Sequence, residues 1–205
     1  MDYVGSRFPD YGPPGSSGRE LTSAKIVVAG GFGVGKSTFI RSMVNGDLLT
    51  CAALPPERAG AVTELVRIEF GRLWLDPGLA LHLFVAPQWQ TPQSGWNDVV
   101  RGCVGAVILL DVMRPADSVD AMRYFEDHRI PYVIALNNMH THPRGDVAAV
   151  LRSMGVDPSV PVVNCDPRYR HLVRQTLISL AEHAKLDRWR REPGPGDTTP
   201  LAPVC

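Results

Sequence analysis

The chemistry of this chain is concentrated in one run, Gly30-Gly31-Phe32-Gly33-Val34-Gly35-Lys36-Ser37-Thr38. Its skeleton is a glycine, four residues, then Gly-Lys-Ser, the Walker A pattern. Each residue type in it has a task toward a polyphosphate. Glycines accept positive φ and let main-chain N–H groups turn inward onto phosphate oxygens, so Gly30, Phe32, Gly33, Val34 and Gly35 contribute through their backbone. The Lys36 ammonium reaches the β and γ phosphates, the Ser37 hydroxyl ligates a magnesium ion bridging them, and Thr38 assists near the α phosphate. A helix beginning at this point adds unpaired N–H groups and the positive end of its dipole. The bland alternative is a glycine-rich turn that only caps a helix. An apolar strand pattern directly before the run and a helical pattern directly after it weigh against that alternative.

The loop needs a strand to deliver it and a helix to receive it. Lys25 to Ala29 supplies the strand, and the helix runs from Lys36 to Val44. A hairpin is expected next, Leu65 to Leu75 and Leu79 to Val85, turned by Asp76-Pro77-Gly78. Gly105 to Asp111 is an unbroken apolar run, the mark of a central strand buried on both faces. Pro115 opens a helix carrying Val119, Met122, Tyr124 and Phe125, and Pro131 to Leu136 forms the next strand. Gly145 to Met154 reads as a helix and Val160 to Val163 as a short last strand. A closing helix from His171 to Leu186 carries Leu172, Val173, Leu177, Leu180, Ala181 and Ala184 at helical spacing. Strands alternating with helices predict an α/β domain over residues 23–190, a mostly parallel sheet with helices on both faces. Residues 1–22 and 191–205, with Pro13, Pro14, Gly15, Gly18 and Glu192-Pro193-Gly194-Pro195-Gly196-Asp197, are expected to be disordered.

Composition narrows the setting. Lys plus Arg and Asp plus Glu each number 21, so no global field draws the chain to nucleic acid or an anionic membrane. At 205 residues and 44% hydrophobic, the chain can bury the core of one domain. Cys51, Cys103, Cys165 and Cys205 show no disulfide or metal-ligand spacing, which favours free thiols in a reducing compartment. The sequence has no signal-peptide core and no run of about 18 apolar residues, so a cytoplasmic location is expected. Cys205 is the last residue rather than the fourth from the end, which does not match a prenylation signal.

Smaller signals have two readings each. Asp111, ending an apolar run, fits either a magnesium-binding carboxylate of an ATPase or a strand-end cap of the turn into Pro115. His140 and His142, beside Pro143, suit a solvated loop better than a metal site. Trp74 and Trp96 are expected to pack, and Trp89 to serve as an exposed docking residue.

Several segments in order, Val27 to Lys36, Glu69-Phe70-Gly71-Arg72, Asp98 to Gly102, Ala106 to Asp111 and Asn164-Cys165-Asp166, resemble the Ras-like small GTPases of actinobacterial conservon operons. Such proteins are similar to the gliding-motility GTPases, and the resemblance covers most of residues 24–186. It implies a three-layer P-loop NTPase (Ras-like) fold, a mostly parallel sheet of about six strands with one antiparallel hairpin strand. It implies GTP or GDP with Mg2+ as cofactor, and as partners a roadblock-type regulator and a sensor-kinase-like protein, through which the chain could be recruited to a membrane. No direct nucleic-acid contact is expected of the balanced charge. It also sets Asp111 away from the magnesium position, which favours the cap.

Against that pattern the chain departs at three places. A Ras-like GTPase carries Asp-x-x-Gly-Gln after the strand hairpin, where the Asp holds magnesium through water and the Gln orients the attacking water. Here the segment reads Val85-Ala86-Pro87-Gln88-Trp89-Gln90, with Val85 at the Asp position and Trp89 at the Gln. Gln88 and Gln90 are the remaining catalytic candidates, and slow or absent intrinsic hydrolysis is expected. Thr63 is the nearest candidate for the switch threonine on magnesium. The base-reading Asn-Lys-x-Asp becomes Asn137-Asn138-Met139-His140, which keeps Asn137 but replaces a bidentate carboxylate by an imidazole. Cys165 and Asp166 stand where the last base-contacting loop belongs. The expected function is a guanine-nucleotide-binding regulatory switch, with ATP not excluded. A hydrolase completed by a partner-supplied group and a nucleotide-free scaffold are the alternatives.

Overall fold

In the computed structural model the described residues are 22–44, 48–53, 66–76, 78–87, 93–137 and 147–191. Along the chain they form β1 (Thr22–Gly30), α1 (Lys36–Met43), β2 (Leu49–Ala53), β3 (Val66–Asp76), β4 (Leu79–Val85) and α2 (Gln93–Val100). There follow β5 (Gly105–Leu110), α3 (Ala116–Asp127), β6 (Tyr132–Asn137), α4 (Val147–Met154), β7 (Val162–Cys165) and α5 (Arg170–Arg191).

The strands make one sheet in the order β2-β3-β4-β1-β5-β6-β7. β1 pairs in parallel with β4 and β5, as do β5 with β6 and β6 with β7. β3 is antiparallel to both β2 and β4, so it alone runs against the others. This is the expected P-loop architecture with one correction. The sheet has seven strands rather than about six, because Leu49–Ala53 adds an edge to β3.

Burial explains the strand assignments. Ile26, Val27, Val28 and Ala29 are each 5% exposed or less, and every residue of β5 and β6 is buried, as central parallel strands covered on both faces require. Their side chains alternate between two cores. Val27, Ala29, Ile108 and Leu110 face the side covered by Trp96 and Val99 of α2, Met122 and Phe125 of α3 and Met154 of α4. Ile26, Val28, Val107 and Leu109 face Phe39, Ile40 and Met43 of α1 and Val173, Leu177 and Leu180 of α5.

Helix α2 was not apparent from its own residues. Its sequence, Gln-Ser-Gly-Trp-Asn-Asp-Val-Val, contains weak helix formers. Tertiary contacts hold it instead. Trp96 is 2% exposed and lies 5.2 Å from the Tyr124 ring and 6.1 Å from Phe125. Tyr124 donates its hydroxyl to Asn97 Oδ1 at 2.6 Å, and the Lys25 ammonium donates to the carbonyl of Arg101, just past the helix end, at 3.0 Å. Trp96 is thus a packing residue and Trp74 is half-buried, while Trp89 lies outside the described residues. Among the described residues no helix is long and apolar enough to cross a membrane.

Candidate phosphate-binding site

β1 sits where the chain changes direction across the sheet, with β4 on one side and β5 on the other. In open α/β sheets the crevice at such a point, beyond the carboxyl ends of the strands, is where ligands bind. The nine-residue run leaves β1 at Gly30 and turns into α1 at Lys36 at that position. Gly30, Gly33 and Gly35 have φ of 133°, 72° and 99°, the left-handed region that a Cβ disfavours. Gly35 is also boxed in, since a Cβ there would lie 2.9 Å from Pro167 Cγ and 3.5 Å from Asn137 Nδ2. Gly35 occupies the cap position of α1 and supplies no side-chain cap. The first helical hydrogen bond runs from Phe39 N to Gly35 O at 2.8 Å, which leaves the amides of Lys36, Ser37 and Thr38 without intrahelical acceptors. Those donors, with the helix dipole behind them, suit an anion.

Lys36 is 7% exposed, and its Nζ donates to Gly30 O at 2.8 Å and Gly31 O at 2.9 Å. Burial pulls its pKa down from 10.5 to about 8. The ammonium is folded onto carbonyls of its own loop, which are neutral acceptors and compensate poorly for lost hydration. Phe32 is 75% exposed, Val34 is buried and Thr38 is exposed, so at Phe32 and Val34 it is the backbone that forms the turn. Ser37 donates its hydroxyl to the carboxylate of Glu69 on β3 at 2.5 Å.

α3 supports the loop from the other side. A Cβ on Gly31 would meet Asp117 Cβ at 2.7 Å, and Arg114 Nη2 reaches Phe32 O at 3.5 Å. Asp111 Oδ1 accepts from Met113 N at 2.9 Å and Oδ2 from Arg114 Nε at 3.2 Å. That is the strand-end cap expected of it.

The base-side candidates come together at the ends of β6 and β7. Asn137 is 9% exposed, and its Nδ2 donates to Val34 O at 2.7 Å, tying β6 to the loop. Its buried Oδ1 has no hydrogen-bond partner among the described residues. Cys165 is fully buried, and burial pushes its thiol pKa up, so only its main chain is available to a ligand. Asp166 accepts from Arg168 Nη2 at 2.6 Å, Arg168 Nε at 2.9 Å and Arg168 N at 3.0 Å. The guanidinium beside it holds its carboxyl below the usual range. Thr63, Gln88, Gln90 and His140 lie outside the described residues.

Glu69 has no role that its sequence position alone assigns. The available signal is that Glu69 and Gly71 alternate onto the same face of β3 as α1. A Cβ on Gly71 would lie 2.6 Å from both Ile40 Cγ2 and Val44 Cγ1, so the missing side chain lets α1 settle close against β3. The first turn of α1 then meets Glu69. A hydroxyl beside a carboxylate is a hard-oxygen donor pair of the kind magnesium takes. Among the described residues no three His, Cys, Asp or Glu side chains gather, so a magnesium ion here needs phosphate oxygens and water for the rest of its shell. The donor set therefore fits a nucleotide-bound ion rather than a dedicated protein cage.

With loop, sheet order and strand ends in place, the architecture can be compared with known ones. The fold is that of a P-loop G domain. The G domain of the T. maritima FeoB iron transporter superposes with a TM-score of 0.56 at 14% identity, over 80% of this chain and 99% of that one. The FeoB G domain of Methanococcus jannaschii gives 0.54 at 14% identity over the same shares. The cytosolic domain of the T. maritima protein in its GMPPNP form gives 0.57 at 14% identity, over 79% of this chain and 64% of that one. At such identities the likeness establishes the fold alone. No protein-family model and no curated protein matches the chain.

Proposed function

We propose that the chain is a guanine-nucleotide-binding regulatory switch of the P-loop GTPase type, slow or inactive in intrinsic hydrolysis. One observation carries the nucleotide reading. At the end of the central strand, a turn with three positive-φ glycines, free helix-start amides and a buried ammonium forms a cradle of one sign. Lys36 has surrendered water for two carbonyls, and a polyphosphate is the ligand that restores full compensation of its charge. G-domain neighbours crystallised with GDP and GMPPNP support guanine nucleotides as the ligand class. Ser37 would hold a magnesium ion, which when bound neutralises phosphate charge. Lys36 orients the β and γ phosphates, and Asn137 fixes the loop against the base side.

The regulatory part rests on what the chain lacks. Val85 offers no carboxylate and Trp89 no carboxamide at the positions where a Ras-like GTPase organises water. Output then comes from association rather than product, with Thr63 and the segment from Pro87 to Trp96 as the parts a bound nucleotide would order. The partners suggested by the conservon resemblance are a roadblock-type regulator and a sensor-kinase-like protein, and the setting is cytoplasmic. Calorimetric titration with GTP, GDP, ATP and ADP in magnesium, with Lys36→Ala as control, tests the proposal. Tight guanine binding lost in the control supports it, and heat-silent titrations with all four overturn it. Multiple-turnover phosphate release by the purified chain would overturn the claim of slow hydrolysis.

A further inference from the structure

We propose that Glu69 is the protein carboxylate of the magnesium site, presented from β3 in place of the aspartate that the end of β4 does not supply. The inference rests on the nucleotide reading above and deepens it. The Ser37 hydroxyl, the P-loop group expected to ligate the ion, already donates to the Glu69 carboxylate at 2.5 Å. Two adjacent ligands of an octahedral ion held at 2.0–2.1 Å lie about 2.9 Å apart, so a change of a few tenths of an ångström turns this pair into neighbouring ligands. The pair is also built rather than incidental. Gly71 sits two residues along the same face, and its lack of a side chain is what brings α1 within reach of β3.

Electrostatics gives the arrangement a consequence. A carboxylate beside the phosphate cradle repels a polyphosphate when no cation is present and attracts its metal complex when one is. Glu69 therefore makes the cradle selective for the metal-bound nucleotide. A carboxylate that merely anchors the Ser37 hydroxyl exerts the same long-range field but does not enter the ion's shell, so a signal from the bound ion itself separates the two roles.

The test is a fluorescent GDP titration of the full chain in EDTA and again in millimolar Mg2+, for the wild type, Glu69→Gln and Glu69→Asp. Melting temperatures without ligand report folding. In the wild type magnesium should tighten binding at least about tenfold, the range typical of groups that orient metal ligands. Glu69→Gln should bind more tightly than the wild type in EDTA and gain less than about threefold from magnesium. Glu69→Asp keeps the charge on a shorter arm and should fall between them. Mn2+ added with GDP should give a bound electron-spin-resonance signal that weakens in Glu69→Gln. Should Glu69→Gln fail to fold, the magnesium ratio and the manganese signal of Glu69→Asp decide, both expected below the wild type. An unchanged magnesium ratio in the folded variants overturns this assignment alone. No binding in any buffer overturns it together with the nucleotide reading.

Discussion

The two ends of the candidate site are built differently. At the phosphate end, a continuous nine-residue segment supplies the turn, the amides and the cation, and it hangs from a strand flanked by sheet on both sides. At the base end, contributions come from separate strand ends, and what they offer is largely committed elsewhere. Cys165 is buried in the core and Asp166 is gripped by Arg168, which leaves Oδ1 of Asn137, a buried polar atom with no hydrogen-bond partner among the described residues. Phosphate binding needs only backbone donors and one charge, which one short segment can supply. Base reading needs a particular acceptor pair at a particular place, which separate strand ends must supply together.

The largest effect expected from breaking this contrast is at Lys36. Lys36→Ala should weaken GDP about a hundredfold or more, because a charge-assisted contact to two phosphates is lost. The unliganded melting temperature should not fall, since burial of the ammonium costs about 3 kcal/mol by its lowered pKa. A large fall in that temperature would show that the lysine is structural.

The pH dependence comes next. The folded pKa of Lys36, about 8, lies below the unfolded 10.5, so the unfolded chain binds more protons between those values. Stability without ligand should be lowest below about pH 8 and rise toward 10.5. Nucleotide binding has the opposite slope. Phosphates favour the charged lysine, so affinity should be flat below about pH 8 and fall by up to about tenfold per unit above it. Calorimetry from pH 7 to 10 reads this directly, and Lys36→Ala should flatten the curve.

At the base end the effects are smaller. Asn137→Ala removes the tether to Val34 and should weaken GDP and ADP about tenfold alike, the worth of one good buried hydrogen bond. A loss confined to GDP would mean that Asn137 reads guanine directly. Asp166→Asn should change GDP affinity less than about threefold, because the carboxylate is already engaged by the exposed guanidinium of Arg168. A larger loss would restore Asp166 as a base reader and close the gap between the two ends.

Most strands and helices were legible because their patterns are local. The central strands are long apolar runs, and α5 shows its buried positions at helical spacing. β2 was missed because five residues, Leu-Thr-Cys-Ala-Ala, form an edge strand that only pairing with β3 defines. α2 was missed because Trp96 contributes through contact with α3, not through propensity. The role of Glu69 is not legible because strand spacing puts it on one face with Gly71 but does not show that α1 covers that face.

The sequence by itself determined the cradle, since every group that makes it lies within one turn of chain and the backbone conformation follows from the glycines. Only the tertiary structure decided what surrounds it. Ser37 meets Glu69 from 32 residues away, and Asn137 reaches Val34 from 103 residues away. Such meetings depend on strand order and on the close approach that Gly71 allows. Chain spacing carries no trace of either, because the sheet, once assembled, sets which distant residues become neighbours.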